Sequence, residues 1–204
     1  MEYTKRRRVK KPRLEWPDWL RNALKIFKPP ERLTVSEWAD RYRVLDAKTS
    51  AEPGQWRTAR TPYLRGIMDA FTDPDIEEII FCKPTQVGGT ESINNMIGYV
   101  IDQDPSPSLV VYPTLELAEY ASKNRIQPMI NICPKLYERY QERESKLLEL
   151  QFEGMYIVLS GANSPASLAS RPIRFLFMDE VDKYPSSAGK EADPRSLARE
   201  RTKT

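Results

Sequence analysis

The sequence predicts an α/β protein built on a mainly parallel sheet with helices on both faces, and three observations predict it. Residues 76–82, 109–112 and Phe175–Met178 are short apolar runs of strand composition. Between them, residues 90–101 place Ile93, Ile97 and Ile101 at helical spacing, and 115–132 reads as a second helix, interrupted by Pro128. The chain has 204 residues, 40% hydrophobic and 30% charged, which suits one domain with a buried core plus appendages.

The first half reads as helices and turns. Residues 16–27 form a short helix with Pro17 near its start and Leu20, Leu24 and Phe27 on one side, ended by Pro29-Pro30. Thr34 and Glu37 stand three apart in the form of a capping box and open a helix through Trp38 and Tyr42. An irregular stretch, 46–61, contains Pro53-Gly54. Pro62 then occupies a first-turn position ahead of an apolar face of Tyr63, Leu64, Ile67, Met68 and Phe71. Further on, 147–152 and 155–160 read as a hairpin around Glu153-Gly154. The segments divide into a basic flexible arm (1–15), a helical lead-in (16–60) and an α/β core (61–204).

No apolar run approaches the ~20 residues of a membrane span, so no membrane partner is expected. The basic N-terminus has no apolar region behind it and is no secretory signal. Cys82 and Cys133, in a chain without His, exclude a Cys/His zinc site and point to the cytosol. The net charge of +3 conceals an asymmetry. Residues 1–13 carry +6 (Lys5, Arg6, Arg7, Arg8, Lys10, Lys11 and Arg13 against Glu2), and the rest of the chain is net −3. Such an arm attracts phosphate backbones by counterion release; a solvated, purely solubilising terminus is the alternative.

Chemistry is written first in Lys83-Pro84-Thr85-Gln86-Val87-Gly88-Gly89-Thr90-Glu91, between a strand and a helix. A phosphate-binding loop needs small residues whose backbone N–H groups close around phosphate oxygens. It also needs a lysine for the terminal phosphates and a hydroxyl for Mg²⁺. Against the spacing Gly-x-x-x-x-Gly-Lys-[Ser/Thr], Gly88 and Thr90 are in register. Gly89 holds the lysine position, and Lys83 holds that of the first glycine. The lysine has moved to the other mouth of the loop, from which its stem still reaches the same phosphates.

The second signal is Phe175-Leu176-Phe177-Met178-Asp179-Glu180, four apolar residues followed by two acids. A buried parallel strand delivers such acids to its carboxyl end, where ligands gather in open α/β sheets. In nucleotide hydrolases the first acid helps hold Mg²⁺, here Asp179, and the second, Glu180, polarises the attacking water.

Together with the segments 110–126, 159–185 and 193–204, these motifs resemble those of the lambda-like GpA family of phage terminase large subunits, over about residue 35 to the end. The resemblance implies a P-loop NTPase of the additional-strand, catalytic-Glu (ASCE, RecA-like) type that uses ATP and Mg²⁺ to drive double-stranded DNA into a procapsid. It assigns the phosphate loop to Lys83, Gln86, Val87, Gly88, Gly89 and Thr90, the metal to Thr90 and Asp179, and catalysis to Glu180. Some members carry arginine where Gln86 stands, so a charge-stabilising group would come from elsewhere, such as a neighbouring subunit. Gln55, Trp56 and Tyr63 lie where the family supplies adenine contacts, although the two aromatics also suit ordinary packing. Thr114, after Pro113, resembles the position at which helicases and translocases touch the nucleic-acid backbone. A plain helix cap explains it equally.

The resemblance further implies a small terminase subunit and a portal or procapsid as partners, a homo-oligomer in the working motor, and a place in the host cell cytoplasm. It also implies a metal-dependent nuclease domain further along, so the segment ending at Thr204 reads as an incomplete ATPase core without its nuclease. Two other readings stay open: a helicase-like ATPase, because Asp179-Glu180-Val181-Asp182 fits Asp-Glu-x-Asp, and a non-catalytic assembly module.

Overall fold

The computed structural model describes residues 17, 19–20, 31–48, 50–164, 168, 171–187 and 193–202. Lys5, Arg6, Arg7, Arg8, Lys10 and Lys11 of the basic arm, and most of the helix expected over 16–27, lie outside the described residues. The chain divides into two units, Met1–Arg32 and Leu33–Thr204. In the first, the Leu20 N–H donates to the Pro17 carbonyl at 3.0 Å.

Thr34 and Glu37 form the expected capping box at the start of α1 (Val35–Tyr42). The Glu37 N–H donates to Thr34 Oγ1 at 3.4 Å, and the Thr34 N–H to Glu37 Oε2 at 2.9 Å. A short antiparallel ribbon, β1 (Val44–Leu45) and β2 (Gly54–Gln55), occupies part of the stretch read as irregular. α2 (Tyr63–Ala70) follows Pro62 as its spacing predicts. Leu33, Val35, Trp38 and Trp56 are buried in one cluster with Leu64, Met68, Ile97 and Ile101, so α1 and the ribbon belong to the core.

The main sheet has the order β4-β5-β3-β6. β3 (Ser108–Tyr112) is central and runs parallel to β5 (Met155–Gly161) and β6 (Phe175–Met178). β4 (Glu149–Phe152) pairs antiparallel with β5 across the Glu153-Gly154 turn, where Gly154 takes φ 78°. Side chains alternate between two faces, as the period of a strand requires. Val110, Tyr112 and Phe177 join the large cluster with α3 (Gly89–Gln103), whereas Leu109 and Val111 join a smaller one with Ile173 and with Ala198 of the helix Pro194–Arg199. Among the described residues no helix is long and apolar enough to cross a membrane.

The strand expected over 76–82 has no place in a ladder. The segment is strand-like in its alternation: Ile79 and Phe81 pack on the core, while Ile76, Ile80 and Cys82 face outward, Ile80 with 82% of its surface exposed. No described strand pairs with it, and β6 pairs only with β3. Composition gives strand propensity, but pairing depends on a neighbour with a free edge in register. The helix read over 115–132 is continuous but widened. α4 (Leu115–Ala121) passes through a π turn (Ser122–Ile126) into α5 (Gln127–Ile132). Pro128 cannot donate to the carbonyl four residues back, and the extra residue of the preceding wide turn absorbs that break.

Helix α3 is locked to α1 by one close contact. Trp38 is fully buried and its Nε1 donates to Asp102 Oδ2 at 3.0 Å, with the outer edge of its six-membered ring against Gly98. A Cβ at Gly98 would sit 2.7 Å from Trp38 Cζ3 and closer still to Cη2. Gly98→Ala should therefore lower stability by about 1–3 kcal/mol through overpacking, despite alanine's better helix propensity. Thermal or urea unfolding checks this; a more stable variant would show that the indole gives way freely.

Candidate nucleotide-phosphate site

The loop 83–88 delivers the chain into α3 through two left-handed residues, Gln86 (φ 60°) and Gly88 (φ 77°). Gly88 is the N-cap and supplies no side-chain acceptor to the first turn. The leading N–H groups of a 15-residue helix thus lack a capping side chain, the condition under which a helix N-terminus takes an anion. The Lys83 stem lies across Gly89: a Cβ there would overlap Lys83 Cδ and Cε and stand 3.0 Å from Nζ. The displaced lysine therefore occupies the space that a side chain at 89 would fill.

β6 brings Asp179 to the same point. Asp179 is 4% exposed. Oδ2 accepts from Thr90 Oγ1 at 2.8 Å, and Oδ1 accepts from the Glu180 N–H at 3.0 Å with Lys83 Nζ 3.7 Å away. The Asp179 N–H donates to the Val111 carbonyl at 3.1 Å, tying the acid to the central strand. Thr90 and Asp179 are hard oxygen donors, and 2.8 Å between their oxygens matches neighbouring ligands of an ion bound at about 2.0–2.1 Å. No group of three or more His, Cys, Asp or Glu side chains suited to a metal occurs among the described residues. A Mg²⁺ here would draw its other ligands from phosphate and water, as that ion commonly does.

Glu180 is held differently from its neighbour. It takes a left-handed backbone (φ 53°), and its Oε2 accepts from Lys183 Nζ at 2.9 Å. With 40% of the side chain exposed, the carboxylate reaches solvent from the rim of the site. Two phenols close the sheet side, Tyr112 buried and Tyr184 half-buried. Tyr184 donates to the Val111 carbonyl at 2.7 Å, and both Tyr184 and Tyr112 are pushed well above the ordinary phenol range, first by burial and then by the Asp179 charge. Both stay neutral and serve as packing and hydrogen-bonding groups.

The residues expected near adenine are placed unevenly. Tyr63 is 55% exposed and its hydroxyl donates to the Val87 carbonyl of the loop at 3.3 Å. Trp56 is a core residue, 7% exposed, with its indole N–H on Thr58 Oγ1, so its faces are taken by packing. Gln55 Nε2 donates to the Asp40 carbonyl at 3.0 Å. Thr114 caps α4, accepting from the Leu117 N–H at 3.3 Å. Sequence reasoning missed Arg43. It is buried, and its Nη2 donates to Glu91 Oε2 at 2.9 Å directly behind Thr90. Nothing in the local sequence marks it, because its partner lies 48 positions away.

Fold and site define an α/β protein whose mostly parallel sheet apposes a Gly-Gly strand-to-helix loop and a buried strand-end aspartate. Residues 50–204 match the family described as phage terminase large subunit gpA, ATPase domain, and the chain belongs to that family. It is also 25% identical over 178 residues to the "Terminase, large subunit" of Enterobacteria phage P21, an alignment covering 84% of this chain. The chain spans 27% of that relative's length.

Gly88 is the most constrained position of the loop. Besides its φ of 77°, a Cβ there would come 3.1 Å from Leu64 Cδ1. Gly88→Ala should cost about 1–2 kcal/mol of stability from the left-handed backbone alone. Unfolding midpoints of parent and variant measure it, and an unchanged midpoint would mean that the loop relaxes to another backbone.

Proposed function

We propose that this chain is the ATP-hydrolysing motor domain of a terminase large subunit, using Mg-ATP to move double-stranded DNA into a procapsid. The observation that carries the reading is the convergence of Lys83, Thr90 and Asp179, brought together across 89 positions of sequence at the mouth of α3. A P-loop NTPase needs that meeting of loop and strand end, and a chance pairing of motifs would not produce it.

In this reading the leading N–H groups of α3 and Lys83 offset the charge of the phosphates. Thr90 and Asp179 hold Mg²⁺, which supplies charge neutralisation at the phosphoryl group when bound. Glu180 exchanges Lys183 for the attacking water and polarises it. Tyr63, exposed beside Val87, is the aromatic best placed for the base, with Gln55 beside β1. Catalysis is then positional and electrostatic, from groups set in place before the substrate arrives. Family membership, with the charge of the basic arm, supports the wider roles of this reading. They comprise action on DNA with help from the basic arm and Thr114, assembly with a small terminase subunit and a portal or procapsid, work as a homo-oligomer in the host cytoplasm, and a nuclease domain in the longer protein.

Lys83→Ala should abolish calorimetric binding of Mg-ATP with little change in the unfolding midpoint, whereas a surface lysine would matter to neither. Gly89→Lys alone should also impair binding, since its side chain competes with the Lys83 stem. Combined with Lys83→Ala, where the stem is gone, it should restore part of the affinity. A folded Lys83→Ala chain that binds like the parent would remove the lysine from the site and leave the assembly-module reading in its place.

Glu180→Gln keeps shape but removes the base. It should leave Mg-ATP affinity nearly intact and lower turnover by about 10²–10⁴-fold. Parallel loss of affinity and turnover would instead assign Glu180 to binding.

A further inference from the structure

Glu91 follows Thr90 and stands in the first turn of α3, where its carboxylate shares the helix end with incoming phosphates. A negative charge suits a bare N-terminus but opposes a bound anion. Its charge is already met: Arg43 Nη2 donates to Oε2 at 2.9 Å, and Asn94 Nδ2 to Oε1 at 3.2 Å. Both oxygens are hydrogen-bonded, and one guanidinium, 5% exposed, balances one carboxylate. A second guanidinium is nevertheless present. Arg125 Nη1 lies 4.0 Å from Glu91 Oε1, outside hydrogen-bond range, with 42% of its side chain exposed.

We propose that Arg125 waits beside Glu91 as a surplus cation and engages the phosphate chain of a nucleotide bound at loop 83–90. The proposal rests on the nucleotide-site reading and adds a binding residue to it. Arg125 leaves Glu91 without stranding a buried charge, because Arg43 and Asn94 keep both carboxylate oxygens. Arg43 is unsuited to the task, being buried and bonded to the Val44 carbonyl as well as to Glu91. A planar guanidinium grips a phosphate by two parallel N–H bonds, which a single ammonium does not.

The backbone under Arg125 suits a fixed base with a swinging head. Arg125 lies in the π turn Ser122–Ile126, a widening that recurs at functional sites. That turn is pinned on both sides: Ser122 Oγ donates to the Leu147 carbonyl, Gln127 Nε2 donates to Ser122 Oγ at 3.1 Å, and Asn124 Nδ2 donates to the Tyr120 carbonyl at 3.0 Å. Glu91 adjoins Thr90, so a guanidinium 4.0 Å from its Oε1 stands at the end of α3 that the loop enters.

The test titrates the 204-residue chain calorimetrically with Mg-ATP and Mg-ADP, as parent, Arg125→Ala, Arg125→Lys and Lys83→Ala. Arg125→Ala should weaken Mg-ATP by about tenfold or more, the effect of losing a charge-assisted contact, with the nucleotide-free unfolding midpoint unchanged. Arg125→Lys should recover only part. If Arg125→Ala unfolds, Arg125→Gln, which keeps the stem, is read on the same scale. Parent-like Mg-ATP affinity of a folded Arg125 variant, with Lys83→Ala impaired, overturns this proposal and spares the site. A parent that fails to bind, or a Lys83→Ala chain that binds normally, overturns both.

Discussion

The buried carboxylate of Asp179 has three partners from three parts of the chain: a hydroxyl from the helix, an ammonium from the loop's far mouth and its own neighbour's amide. The carboxylate of a residue 4% exposed is tolerable only when its charge is matched and its lone pairs are taken. The same contacts that make it tolerable fix where α3 begins relative to the end of β6. The aromatic stack of Phe71 on Phe175 and Phe177, with centroids 5.1 and 5.7 Å apart, sets the layer beneath, but it is Asp179 that aligns the two motif-bearing elements.

Much of this was legible in the sequence where signals are local. The run of four apolar residues ahead of Asp179 is β6 to the residue, and the Thr34 and Glu37 box opens α1 as written. The spacing around Gly88 and Thr90 located the loop, and the left-handed φ of Gly88 is what glycine is needed for. Signals failed where the outcome depended on distant groups. Residues 76–82 have strand composition but no paired edge, and Trp56 reads as core or, less often, as a ligand platform. Only packing against Leu33, Val35 and Trp38 decides the second case.

The π turn belongs between these extremes. Pro128 announced a disturbance in the helix, but a kink, a break and a wide turn are all compatible with one proline. The structure resolves it in favour of continuity, since Ile126, Met129 and Ile130 stay buried on one side. Arg43 and Glu91 illustrate the opposite limit. Their bond joins the ribbon region to the helix carrying the loop, and no periodicity in either segment foreshadows it.

The unpaired run 76–82 also governs how the chain behaves as a material. Its outward residues include Ile76, Ile80 and Cys82, and the outer edge of β6 lacks a partner among the described residues. An exposed, apolar, strand-competent edge is a template for joining another copy; Glu77 sets charge against it, while the charge of Glu78 is met by Arg199. Concentrated solutions of the chain are therefore prone to edge-to-edge association and to oxidation at Cys82. A lysine at position 80 is the least invasive way to blunt the edge, since Ile80 contributes almost nothing to the core it stands beside.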